Sequence, residues 1–260
     1  MKVNELNYPI EYFEAQVRFA SKWATVTQTY LTDSLSEKTA LVRRFDDPET
    51  FSRIANQNTD ERQLTRLLYA SYETQPSAKY VPKLHPRDAT HYGVYGYKYF
   101  PENKSEDGLN TIKMHVYPSP RGESSNLTAS AYENSVDDLR QMTSYIHDNL
   151  PDAQIVVGGS WLYNVPGYRD PFPPEFINNL KRMVPPGIEI PGTVPKMSFT
   201  GDSLWGQFIT RNGFIKPQVF VPFITDVERA KNVTDLLDAF PYKPLHSATP
   251  IRHFYEHFKI

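Results

Sequence analysis

The chain has 260 residues, with 28 Lys+Arg against 30 Asp+Glu and a formal net charge of −2, which argues against the clustered basic face of a nucleic-acid binder. It contains no Cys, which removes disulfides, thiolate nucleophiles and Cys-ligated zinc together. No apolar run approaches the ~18 residues of a membrane span and the opening MKVNELNYPIEYF lacks a signal-peptide core, so a soluble, cytoplasmic protein without a membrane partner is expected. With 22 Pro, only 12 Gly and 13% aromatic residues, the loops read as rigid and the core as ample.

The patterns predict a single α/β (α+β) domain over 1–260. Residues 1–75 form a helical layer. Ile10, Phe13, Val17, Ala20 and Ala24 recur at helical spacing after Pro9. Ser34 with Glu37 has capping-box spacing, Asp47-Pro48-Glu49 opens a third helix, and Thr59-Asp60-Glu61 opens a fourth. A Pro-punctuated connector, 76–89, leads into a sheet-containing core over 90–200. There HYGVYGYKYF and LNTIKMHVY read as a mixed sheet's β-hairpin. A helix follows, with Val136, Leu139, Met142 and Ile146 on one face, and then the short buried strand 154–157. Strand, helix, strand makes a βαβ unit with parallel strands. A short helix is expected from Pro173 to about Met183, and C-terminal helices over 201–260, one opened by Pro217 and one by Thr249-Pro250.

Ligands of open α/β sheets sit beyond the carboxyl ends of parallel strands, which here places a site between loops 118–126 and 158–169. In the first loop Arg121, Ser124, Ser125 and Asn126 precede a helix N-terminus, an arrangement suited to an anion or simply to capping. In the second, Gly158-Gly159 permits close backbone approach, and Ser160, Trp161, Tyr163, Asn164, Tyr168 and Arg169 supply polar groups. Gly-Gly-Ser-Trp-Leu is not a nucleophile elbow, because Leu162 replaces its second Gly. Alternation puts His115 on one strand face with Lys113 and Tyr117, opposite Ile112, Met114 and Val116, where it is a candidate general base or a hydrogen-bonded structural residue. His253-Phe254-Tyr255-Glu256-His257 has inverzincin spacing, with a third ligand to come from His246, His91 or His115. A terminal helix burying Phe254 and Phe258 accounts for it, and no metal is assigned.

The strand His115, the long helix, the short strand, then Ser160-Trp161-Leu162-Tyr163-Asn164, Tyr168-Arg169 and Phe172-Pro173-Pro174 resemble a group of uncharacterised bacterial proteins. The His…Ser-Trp-Leu spacing is also similar to acyltransferase-like proteins related to the GNAT superfamily of N-acetyltransferases. It covers about a quarter of the chain. The resemblance implies a GNAT-like core, acyl transfer to a small molecule, an acyl-CoA donor, His115 as base and Tyr163 as acid for the leaving thiol; Ser160 is a candidate nucleophile on its residue type and loop position. The superfamily's pyrophosphate loop reads Gln/Arg-x-x-Gly-x-Gly/Ala, whereas Arg121-Gly122-Glu123-Ser124-Ser125-Asn126 departs from it. The alternative is a non-catalytic anion- or small-ligand-binding protein, or a protein-interaction domain.

Overall fold

Ile10, Phe13, Val17, Ala20 and Ala24 do fall on one helix. In the computed structural model, β1 (Leu6–Asn7) leads to α1 (Ile10–Thr27), which carries them, and then to α2 (Leu31–Glu37). The structure describes residues 6–57, 60–75, 79–80, 90–93, 95–102, 108–116, 129–210 and 213–260. Gln28 takes a left-handed φ of 56° and ends α1, so α2 starts at Leu31 and Ser34 is buried inside it instead of capping a later helix. Next come α3 (Pro48–Ala55) and α4 (Glu61–Glu73), which begin where the acidic caps stand. Asp47 accepts from the Glu49 and Thr50 amides at 3.0 Å, and Asp60 from the Gln63 amide at 2.8 Å, so amides with no helical partner are satisfied.

After β2 (Lys79–Tyr80), which pairs with β1, the strands β3 (Thr90–Tyr92), β4 (Tyr95–Phe100) and β5 (Thr111–Val116) run antiparallel. Then α5 (Ala129–Asn149) crosses to β6 (Ile155–Ser160), which lies parallel to β5 and completes the expected βαβ unit. A short 3-10 turn, Trp161–Asn164, leads to α6 (Pro166–Arg169), α7 (Pro174–Asn178), β7 (Lys181–Met183) and β8 (Thr193–Val194). The helix expected to reach Met183 stops at Asn178, because 181–183 pair with the sheet. The chain closes with α8 (Asp202–Trp205), α9 (Pro217–Arg229), α10 (Val233–Ala239), β9 (Leu245–Pro250) and α11 (Arg252–Phe258). Pro217 opens α9 as expected. Thr249-Pro250 instead ends β9: Thr249 is fully buried opposite Val156, and its hydroxyl accepts from Asn179 at 3.2 Å.

These elements group into two compact units, Met1–Val81 with Met197–Lys243, and Pro82–Lys196 with Pro244–Ile260. The stretch 1–75 falls whole within the first unit, while the boundaries after 196 and 243 divide the stretches 90–200 and 201–260. In the first unit α1 packs against α2, α4, α9 and α10, and buries residues all round, among them Tyr12, Phe13, Val17, Phe19 and Trp23. A helix so enclosed needs its polar groups answered inside. Gln16, fully buried, does so: its Oε1 accepts from the Ala40 amide at 2.7 Å and its Nε2 donates to the Tyr12 carbonyl at 3.1 Å.

The second unit holds a seven-stranded mixed sheet in the order β3-β4-β5-β6-β9-β7-β8. Ile112, Met114 and Val156 form one core cluster with Leu139 and Met142 of α5, Phe176 of α7 and Phe254 of α11. The long helix α5 and the short helices α7 and α11 thus pack on one face of the sheet, and the fold is of the α/β class. Among the described residues no helix is long and apolar enough to cross a membrane.

Candidate functional site

The parallel pair β5–β6 sets the sheet edge at which a ligand site of an open α/β sheet is expected. Met114 pairs with Gly158, so both strands end at the same edge of the sheet. Arg121, Ser124, Ser125 and Asn126, in 117–128, lie outside the described residues.

The second loop begins later than its sequence suggests. Pairing with β9 continues from Ile155↔Pro250 to Ser160↔Leu245, so Gly158 and Gly159 are strand residues. Their neighbours differ because a strand alternates faces. A Cβ on Gly158 would stand 2.3 Å from the Tyr163 hydroxyl oxygen and 3.2 Å from Phe176 Cζ, so glycine there serves the core. A Cβ on Gly159 would meet only Met183, at 3.4 Å from Sδ, and Gly159 is exposed.

Most of the loop's polar groups hold the loop itself. Ser160 Oγ accepts from the Leu162 amide at 3.1 Å and caps the 3-10 turn, while Asn164 donates to the carbonyl of half-buried Trp161 at 2.7 Å. Arg169 Nε stands 3.6 Å from the Asp170 carboxylate. Tyr163 and Tyr168 are buried and share a hydrogen bond, within a ring cluster that includes Tyr95, Phe172 and Phe176. Burial pushes both hydroxyls well above the usual tyrosine range.

Burial likewise raises Tyr12, Tyr72 and Tyr95, which fixes the sign of a pH effect. Unfolded tyrosines lose their proton near about pH 10, the folded ones only at higher pH. Stability is therefore complete below about pH 10 and falls as pH rises above it, since only the unfolded state releases protons there. Urea midpoints measured across this range should drop, and the buried share of tyrosinate absorbance should appear together with unfolding. A flat profile would contradict the buried tyrosine cluster.

His115 stands on the other face of β5. Ile112 and Met114 are buried, whereas Lys113 is exposed and His115 half-buried, as alternation requires. The register continues across the sheet. His115 pairs with Gly96 on β4; one residue beyond Met114↔Gly158, it lies beside Gly159; Gly159 pairs with His246, and His246 with Lys181. One row of this face therefore reads His91, Gly96, His115, Gly159, His246, Lys181, with Lys98 opposite Lys113 in the row two residues away. Neighbouring strands lie about 4.8 Å apart, so His115 and His246 are roughly 10 Å apart with exposed Gly159 between them.

The structure thus brings His115 together with two residues that sequence reasoning did not assign to the site, His246 and Lys181, and separates it from Tyr163. No local motif marks His246: only the antiparallel register of β9 brings it beside β6. Among the described residues no three of His, Cys, Asp or Glu gather where one metal ion would be held. In α11, His253 Nδ1 faces Glu256 Oε2 at 3.6 Å and the His257 ring packs edge-on against Phe258. No family model, no curated protein and no solved structure matches this chain.

Proposed function

We propose that the second unit is an acyl-transfer enzyme acting on a small molecule, with its site over Gly159 and His115 as general base. One observation carries this: a histidine and an exposed glycine lie in one row at the carboxyl ends of two adjacent parallel strands, the end of such sheets that receives ligands. A neutral imidazole titrates near working pH and is suited to take the proton of an attacking amine as it adds to a thioester carbonyl; the tetrahedral adduct then breaks its C–S bond to leave the amide, and the imidazolium returns the proton to the departing thiolate. The acyl donor in this reading is an acyl-CoA, as the GNAT-like resemblance implies.

A thermal-shift titration with acetyl-CoA and longer acyl-CoAs tests it. At about 100 times its dissociation constant the ligand should stabilise the fold by about 2.7 kcal/mol. His115→Ala should leave the unliganded melting temperature in place and lower turnover by about a hundredfold or more. No shift with any acyl-CoA, or full turnover in the variant, overturns the reading. A non-catalytic small-ligand-binding protein is the second reading. The engagement of Ser160 and Asn164 in local backbone hydrogen bonds favours it, and a shift without turnover would establish it.

A further inference from the structure

We infer that this open face takes an anionic group of its ligand, a phosphate or a carboxylate, over Gly159 between His115 and His246, with Lys113 and Lys181 beside it. The inference rests on the reading of this face as the ligand site. Its ground is the charge pattern of the sheet. No Asp or Glu occurs in any of its seven strands, although the whole chain carries a slight acidic excess. Among the strand residues whose side chains are described, the ionisable groups on the open face are basic, Lys98, Lys113, His115, His246 and Lys181, and the backbone register adds His91, opposite Gly96, to the same row.

Such an arrangement costs stability unless something offsets it. Lys98 and Lys113 stand directly opposite each other, an unfavourable cross-strand placement for like charges unless partners offset it; the Lys98 ammonium lies over the Phe100 ring, 5.8 Å from its centroid. Lys113 and Lys181 are exposed, and among the described residues neither has a hydrogen-bond or ion-pair partner. A protein chain that needed this face only to be soluble would interleave both signs of charge. Ammonium and imidazolium groups donate charge-assisted hydrogen bonds to phosphate or carboxylate oxygens. The strand spacing leaves about 10 Å between the two histidines, room for such a group to sit within reach of both. The exposed glycine between them puts no side chain of its own into the row, and the only neighbour a Cβ there would meet is the Met183 thioether, at 3.4 Å from Sδ.

The test is imidazole NMR on the whole protein, titrated separately with inorganic pyrophosphate, with acetate and with the uncharged thioester S-acetyl-N-acetylcysteamine. Saturable shifts of the His115 and His246 resonances are expected with pyrophosphate if the anion is a phosphate, and with acetate if it is a carboxylate. The double variant K113Q/K181Q, altered only at exposed positions, should raise the dissociation constant at least tenfold, and added salt should weaken binding further. Absence of shifts with both anions, or unchanged affinity in the double variant, overturns the inference. If the thioester binds and neither anion does, the anion site falls and the acyl-transfer reading stands. If an anion binds and the thioester does not, the acyl-transfer reading loses its support and the anion site stands.

Discussion

Trp205→Ala is expected to destabilise the protein by about 3–5 kcal/mol, the range for truncating a fully buried large ring. Trp205 is 0% exposed. Its ring lies 5.3 Å from that of Phe240, 5.5 Å from Phe19 and 6.2 Å from Phe223, edge-on in each case. These rings come from α1, α9 and the segment after α10, so the cavity left by Ala opens where three parts of the first unit meet. A second loss adds to the first. The indole Nε1 donates to the Phe199 carbonyl at 2.8 Å, and removing it leaves a buried acceptor without its partner. Urea unfolding followed by far-UV circular dichroism measures the effect. Trp205→Phe should cost clearly less, since a ring remains and only the hydrogen bond and part of the volume are lost. If the Ala variant loses less than about 1 kcal/mol, the aromatic cluster is not what holds this unit together.

How far such features can be read from sequence depends on the distance over which their cause acts. Asp47 and Asp60 are legible as caps because cap and amide lie within three residues of each other. The β5–α5–β6 crossover is legible too, since its periods change from two to 3.6 and back within one stretch, and right-handed parallel connection is nearly obligatory. Between 197–243 and the first helices nothing local signals pairing. Phe199, Trp205, Phe223 and Phe240 announce a core, but not that Phe19 completes it. Strand β9 is the clearest case. Thr249-Pro250 has the chemistry of a helix start, yet the partners that decide its state, Val156 on β6 and Asn179 after α7, lie some seventy or more residues away. The candidate site inherits this division. His115 is visible from alternation alone, while His246 and Lys181 join it only through β9. Gly158-Gly159 is visible as a pair and misread as a loop, because pairing partners, and not composition, keep the strand going to Ser160.

The two adjacent glycines separate packing from function in one experiment. Gly158→Ala is expected to cost about 1–3 kcal/mol, as overpacking a finished core does. The new methyl would stand 2.3 Å from the Tyr163 hydroxyl oxygen, and that ring cannot retreat freely: it packs 5.3 Å from Tyr168, 5.5 Å from Phe172 and 5.6 Å from Phe176. The remaining close contact, 3.2 Å to Phe176 Cζ, is milder, so removing the hydroxyl should relieve most of the strain. Tyr163→Phe therefore suppresses the cost of Gly158→Ala, and a double-mutant cycle should return a coupling of about 1 kcal/mol or more. Additive losses would mean that the clash is absorbed elsewhere. Gly159→Ala is the counterpart. It meets only Met183 at ordinary contact distance, so stability should change by no more than about 0.5 kcal/mol. Its methyl would nevertheless rise from the floor between His115 and His246, and ligand affinity at that face should fall while the fold is untouched. The reverse outcome, a destabilised Gly159→Ala with normal binding, would move the site away from this row.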